Sequence, residues 1–284
     1  MHQAYDLYLP ARRTTPVVFA SPHSGRNYAP GFLSESALDP LAVRSSEDAF
    51  VDLLFADAPD MGAPLLAARA PRAWLDLNRA PDELDPALID GAPRGITNPR
   101  ISSGLGVIPR VVANGRAIYR GKLRLDEARA RIESHWHPYH ARLRELIAES
   151  QRDFGVAVLI DCHSMPHEAI ASHARAGRPV PEIVLGDRFG AAAAAEVVDR
   201  IEQAFRQAGF LVARNTPFAG AYVSQAYGRP DQHRHVVQVE IDRALYMDEA
   251  RVVPLPGFRA FRERIGRVIA DITVSDQPRA LAAE

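Results

Sequence analysis

The chain has 284 residues, of which 47% are hydrophobic and 24% charged, with a formal net charge of −1. That suits one large α/β domain or two small ones, and it gives no electrostatic reason to expect nucleic acid or a membrane surface as a partner. A single cysteine, Cys162, excludes an intrachain disulfide framework, and no apolar run approaches the ~20 residues that span a bilayer. The first residues lack a basic stretch followed by an apolar core, so no signal peptide is expected and the expected compartment is the cytoplasm. Lys122 is the lone lysine among many arginines, which weakens an argument from any single Arg.

The elements alternate between the two periodicities. A strand is expected over 17–20, then a helix over 47–58 with Phe50, Val51, Leu54 and Phe55 at helical spacing. Strands follow over 64–68 and 73–77. Residues 79–116 are rich in Pro, Gly and Asn and read as a long functional loop, with a short strand over 117–119. A long helix over 126–152 should kink or split at Pro138. The run Val156-Ala157-Val158-Leu159-Ile160 reads as a buried central strand, followed by a strand over 182–185. A helix over 191–207 should stop at Gly209, strands follow over 210–213 and 236–241, and a helix over 258–272 closes the chain. The alternation implies a three-layer α/β architecture with a largely parallel sheet.

Polar clusters sit where strands should end, the place where open α/β sheets bind ligands. His23 follows the first strand in a Pro-His-Ser-Gly turn. Asp161 and His163 follow the central strand and, two apart, face one way if it continues through them. Cys162 then faces the opposite side as a small buried apolar residue. Asn78-Arg79 follow the 73–77 strand, and Arg79 is the best anion binder. Glu47 and Asp48 read as helix-opening acids after Arg44-Ser45-Ser46, or as a carboxylate ligand beside the two histidines, since two His and one carboxylate make a common catalytic zinc shell. Glu240 shares a strand face with Gln238 and Asp242 and suits a general base. Arg100, Arg110 and Arg120 lie in or beside the long loop as further grips. His135, His137 and His140 are close in sequence, but Pro138 distorts the helix between them. His233 and His235 read as an exposed edge, and His167 and His173 as pocket-lining residues.

These residues carry a resemblance to the N-formylglutamate amidohydrolase family. The matching segments are Ser21-Pro22-His23-Ser24-Gly25-Arg26, Ser46-Glu47-Asp48-Ala49-Phe50-Val51-Asp52, Leu75-Asp76-Leu77-Asn78-Arg79-Ala80 and Glu83-Leu84-Asp85. Gly104-Leu105-Gly106-Val107-Ile108-Pro109-Arg110, Pro138-Tyr139-His140, Asp161-Cys162-His163-Ser164-Met165-Pro166 and Arg243-Ala244-Leu245-Tyr246-Met247-Asp248-Glu249 complete the set. The resemblance implies a single catalytic domain over 1–284 with a three-layer phosphorylase/hydrolase-like α/β fold and a mixed, largely parallel sheet, similar to zinc carboxypeptidases. It implies one Zn²⁺ per chain and hydrolysis of N-formyl-L-glutamate to formate and L-glutamate in histidine breakdown. It implies His23 and His163 as ligands, Glu240 as general base, and Asn78 and Arg79 on the substrate α-carboxylate. Carboxypeptidases draw two ligands from His-x-x-Glu, but Arg26 stands three places after His23, so the carboxylate ligand falls to Asp48 or Glu47. Asp161 is expected to support a ligand from behind, and Arg110 or Arg120 to meet the second carboxylate.

The expected partner is a small-molecule substrate, with the chain a monomer or small homo-oligomer. Other readings are a zinc hydrolase of another N-acyl amino acid or short acidic peptide, a metal-free hydrolase using Ser164 or Cys162 with His163, and a non-catalytic binder of a small anionic metabolite.

Overall fold

The β-branched run before Asp161 builds the middle of a seven-stranded sheet. The computed structural model describes residues 3–93, 98–112, 115–171 and 180–274. The spatial order is Tyr5–Tyr8, Leu65–Ala68, Val17–Ser21, Ala157–Met165, Arg234–Asp242, Ile183–Gly186, Val212–Arg214. The four strands from Leu65–Ala68 to Arg234–Asp242 pair in parallel, as does the last pair. Tyr5–Tyr8 and Ile183–Gly186 join antiparallel, so the sheet is mixed but mostly parallel.

Both faces are covered, as a parallel sheet requires. On one side Phe19, Ile160, Cys162, Val237 and Val239 pack with residues of the helices Ala195–Gln207 and Phe258–Thr273. On the other, Val18, Ala20, Leu159 and Val236 pack with Tyr139, Leu143, Leu146 and Ile147 of the helix His137–Phe154. Cys162 lies wholly buried in the first of these cores, as its alternation with Asp161 and His163 requires.

Several elements depart from expectation. The 73–77 segment is a turn, not a strand: Trp74 and Leu75 N–H both donate to the Pro71 carbonyl. Its apolar residues pack beneath the sheet without joining its ladder. The 47–58 helix shrinks to Val51–Leu54, because Phe50 is left-handed at φ 68° and Glu47 is extended. Glu47 and Asp48 therefore cap nothing. The 117–119 strand is reduced to isolated bridges, Val111 with Ala117 and Ser36 with Tyr119. The 126–152 helix splits into Leu125–Arg131 and His137–Phe154 across a π-turn, Ile132–Trp136. Pro138 thus sits in a first turn, where its missing N–H costs little. The 191–207 helix begins at Ala195, since Ala191 and Ala192 turn back to donate to Arg188 and Asp187 carbonyls. The central strand, by contrast, runs on to Met165. No described helix is long and apolar enough to cross a membrane.

Candidate metal centre and cleft

Strand register sets the site. Asp161 lies opposite Gln238, His163 opposite Glu240 and Met165 opposite Asp242. The odd-numbered central residues and their partners share one face, and past Leu159 and Val236 that face turns from apolar to polar. The Val17–Ser21 strand ends beside it and delivers His23.

His23 Nδ1 and His163 Nδ1 lie 3.1 Å apart, and Asp48 Oδ2 is 3.0 Å from the second and 3.4 Å from the first. All three residues are buried. These are the edges of a small triangle of donor atoms, close to the ~3.3 Å expected between ligands ~2.0 Å from a tetrahedral ion. This is the metal-competent cluster among the described residues.

The back of each ring is held. His23 Nε2 meets Asp76 Oδ1 at 2.7 Å, and His163 Nε2 lies 3.1 Å from Asp161 Oδ1. A carboxylate stands beside each Nε2, hydrogen-bonded at His23 and at ion-pair distance at His163, and this leaves the Nδ1 atoms turned to one another for a cation, the usual support of a ligating histidine. Asp76 is itself fixed by Arg72 Nε at 3.0 Å and the Asn78 N–H at 2.8 Å. Arg243 Nη2 donates to Asp48 Oδ1 at 2.9 Å, so the other Asp48 oxygen faces the histidines. The Asp48 N–H bonds the His23 carbonyl at 3.0 Å, joining the two loops. Burial pushes the Asp48 and Asp76 carboxyls up. For Asp48 the two imidazoles and Arg243 prevail, and for Asp76 His23 with Arg72 and Arg79; both stay well below the usual range. Burial works against charge on His163, but Asp161, Asp48 and Glu240 raise it well above its ordinary value. The centre demands a positive charge, which a proton supplies when no metal does.

Glu47 turns the other way. Adjacent residues of extended backbone face opposite sides, and Glu47 accepts from Tyr28 Oη at 3.0 Å and Arg44 Nε at 2.9 Å. Of the two acids, the structure brings Asp48 to the histidines.

A cleft of about 550 Å³ opens in front of the centre, lined among others by His23, His163, Glu240, Arg72, Arg79 and Arg100. Glu240 accepts from Gln238 Nε2 at 2.8 Å through Oε1. Burial, with the Asp48 charge, pushes its carboxyl up to about 7 against the pull of His163, Arg72 and Arg243. Arg79 is buried; Nε donates to the Leu105 carbonyl at 2.9 Å and Nη1 to that of Asn78 at 2.7 Å. It has no carboxylate partner among the described residues, and burial lowers its pKa. A buried guanidinium with spare donors facing a cleft has the chemistry to take an anion. Asn78 is more engaged than expected. Its Oδ1 accepts from the Val223 N–H at 2.8 Å, and its Nδ2 lies 3.4 Å from Asp161 Oδ2 and 3.2 Å from His163 Nε2.

The structure does not bring Arg110 or Arg120 to the cleft. Arg110 Nε bonds Asp85 at 2.8 Å, and Arg120 is exposed to solvent. Arg100 lines the cleft instead, its side chain without a hydrogen-bond or ion-pair partner among the described residues. Ser164 Oγ accepts from Arg243 Nε at 3.1 Å, and burial pushes the Cys162 thiol well up, so neither is placed as an activated nucleophile. The histidines of 135–140 diverge: His140 is buried between Tyr227 and the Leu77 carbonyl, and His137 lies 3.5 Å from Glu133. His167 pairs with Asp242, and His235 is buried in its strand rather than on an exposed edge. His173 lies outside the described residues. Sequence reasoning assigned no role to Asp76, Arg72, Arg243 or Gln238. Asp76 and Arg243 stood inside quoted segments, but only contacts reveal what they hold.

The model of the family N-formylglutamate amidohydrolase matches residues 15–247. An N-formylglutamate deformylase of Pseudomonas aeruginosa is 31% identical over 242 residues, 84% of each chain. One of Pseudomonas putida is 30% identical over 241 residues, 82% of each. The crystal structure of an N-formylglutamate amidohydrolase from Ralstonia eutropha JMP134 superposes with a TM-score of 0.88 at 34% identity, over 95% of this chain and 97% of that one. The chain belongs to the N-formylglutamate amidohydrolase family.

Proposed function

With family membership as the premise, we propose that this chain is a single-domain, zinc-dependent amidohydrolase that cleaves N-formyl-L-glutamate to formate and L-glutamate, a cytoplasmic step of histidine breakdown. The observation that carries the reading is the convergence, in one cleft, of the His23–Asp48–His163 triangle, a buried carboxylate poised near neutrality, and a buried guanidinium without an acid partner. The fold reading that goes with it is phosphorylase/hydrolase-like, with the centre at the carboxyl ends of parallel strands as in zinc carboxypeptidases.

His23, His163 and Asp48 would hold the ion, and the donor set of two imidazoles and one carboxylate suits Zn²⁺. Zinc would supply a Lewis acid and lower the pKa of water from ~15.7 towards ~7. Glu240 takes a proton from the attacking water as oxygen bonds to the formyl carbon. It then delivers the proton to the leaving nitrogen as the C–N bond breaks. Gln238 holds one Glu240 oxygen, so the other is the one that works. Arg79 binds the α-carboxylate, with the second N–H of the Asn78 amide beside it. Arg100, uncommitted at the cleft wall, meets the side-chain carboxylate.

The test is formate release from N-formyl-L-glutamate by purified protein, with metal assayed before and after chelation and zinc add-back. Zinc-dependent release is the expected result. Bound zinc without release would reject this substrate and redirect the search to other N-acyl amino acids; neither zinc nor release would reject the reading.

A further inference from the structure

Gln238 is buried on the floor of the cleft, on the strand that carries Glu240. Glu240 must be ionised to act as general base, and in that form it only accepts hydrogen bonds, so the Gln238 nitrogen, 2.8 Å from Glu240 Oε1, is the end that faces it in the working state. The other end, Oε1, has no hydrogen-bond partner. A buried carbonyl left bare is costly, and an orphaned acceptor in a native site calls for a ligand that completes it.

The cleft is otherwise rich in donors. Arg72, Arg79, Arg100, Arg243 and the Asn78 amide nitrogen all present N–H groups. Asp76 and Asp48 are saturated by their imidazoles and arginines. Ser46 Oγ is also buried without a partner, but a hydroxyl can turn to donate as well as accept. Gln238 Oε1 is a fixed, neutral, acceptor-only atom. A scissile secondary amide has one donor, its N–H, and that donor needs such an acceptor.

We propose that Gln238 Oε1 accepts the N–H of the scissile amide, so that the cleft selects secondary N-acyl amines over isosteric substrates lacking that hydrogen. The proposal rests on the amidohydrolase reading above and assigns Gln238 a direct contact with substrate. A site built to bond an N–H discriminates strongly against an analogue without one, because its own polar group is then left unpaired. The same residue would orient the amide and fix the general base.

The experiment compares N-formyl-L-glutamate with the formate ester of 2-hydroxyglutarate, in which oxygen replaces N–H at nearly constant shape. The ratio of kcat/KM, amide over ester, is measured for the unaltered enzyme and for Gln238→Met, with spontaneous ester hydrolysis subtracted. A displaced Glu240 would slow the amide more than the ester, because the amine leaves only with its proton. The ester is therefore also followed alone: its kcat/KM should stay within about threefold in Gln238→Met, and a fall of the ester beyond that assigns the loss to Glu240 and overturns the inference. The expected result is a fall in that ratio on the order of 10- to 100-fold. A ratio unchanged within about twofold, in an unaltered enzyme that does release formate, overturns this inference alone. An unaltered enzyme that hydrolyses neither substrate overturns the functional reading and this inference with it. If Gln238→Met fails to fold, Gln238→Asn withdraws the carbonyl by one methylene and gives the same test.

Discussion

Arg79 and Asp76 are both buried in one short turn, yet their substitution should fail in opposite ways. The Arg79 side chain donates to backbone carbonyls alone, and in the proposed reading its charge meets the substrate carboxylate. Arg79→Ala should raise KM on the order of 10²-fold, with a smaller effect on kcat, in steady-state formate release. An unchanged KM would remove it from the substrate site. Asp76 touches His23 and no open part of the triangle. Asp76→Asn should weaken metal affinity about 10- to 100-fold in a competition titration while leaving KM of the loaded enzyme nearly unchanged. Glu47→Gln is the contrasting control: its carboxylate serves Tyr28 and Arg44, so metal content should hold, whereas Asp48→Asn should lose it. At this scale the convergence of His23, His163, Glu240 and Arg79 on one cleft was legible in the sequence, because each stands at the end of an apolar run or in a distinctive segment. Glu47 and Asp48 are neighbours with the same chemistry, and only the extended backbone at Glu47 separates them. Arg110 and Arg100 differ only in what they meet in space: Asp85 neutralises one and leaves the other to the cleft.

The turns that hold these side chains are as constrained as the strands. A Cβ on Gly25 would lie 2.0 Å from the Ala70 carbonyl oxygen and 2.8 Å from the Arg69 carbonyl carbon, both backbone atoms that cannot swing aside. Gly25→Ala should therefore cost about 1–3 kcal/mol and displace the His23 turn, read as lower zinc content and a lower denaturation midpoint together. The second turn, at 77–79, is anchored by His140, whose Nε2 bonds the Leu77 carbonyl and whose Nδ1 meets Tyr227 Oη, each at 2.8 Å. Burial lowers the His140 pKa to about 3. The folded form holds it neutral, while the unfolded chain protonates it near its ordinary value of ~6.5. Its contribution is fully present above ~6.5 and is lost as pH falls towards 3, at about 1.4 kcal/mol per pH unit. Relative to His140→Gln, the unaltered chain should lose about 2 kcal/mol of its advantage between pH 7 and pH 5 in denaturant titrations; a constant difference would refute a neutral buried His140. The 73–77 strand and the 47–58 helix were misread for one reason. Apolar spacing reports burial, and burial here comes from packing under the sheet rather than from a ladder or a helix. Pro138 was read as a break, and the break appears as the π-turn before it.

The three metal-competent groups come from distant parts of the chain. His23 follows the Val17–Ser21 strand, Asp48 lies in the loop before Val51–Leu54, and His163 stands on the central strand. Their supports extend the network to Asp76, Asn78 and Arg243. Without a cation, this network packs buried lone pairs and a carboxylate against one another, and protonated His163 is the available relief. In the proposed reading a bound ion would replace that proton and would tie the Val17–Ser21 and Ala157–Met165 strands to the 47–48 loop, which the unfolded chain cannot do. Its binding energy is therefore folding energy, RT ln(1 + [L]/Kd). At free zinc about 1,000 times Kd this amounts to ~4 kcal/mol. For a chain of 284 residues each kcal/mol moves Tm by roughly 2–4 °C, so chelation should lower Tm by about 8–16 °C and zinc add-back should restore it. Differential scanning calorimetry decides this without reference to turnover. His163→Ala should abolish the zinc-dependent shift, since removing a ligand opens the triangle. Glu240→Gln should keep the shift while formate release is lost, because Glu240 faces the cleft and its carboxylate is not one of the three ligating groups. A Tm indifferent to zinc in the unaltered protein would place the cation's role outside the fold and break the link between the triangle and the sheet that presents it.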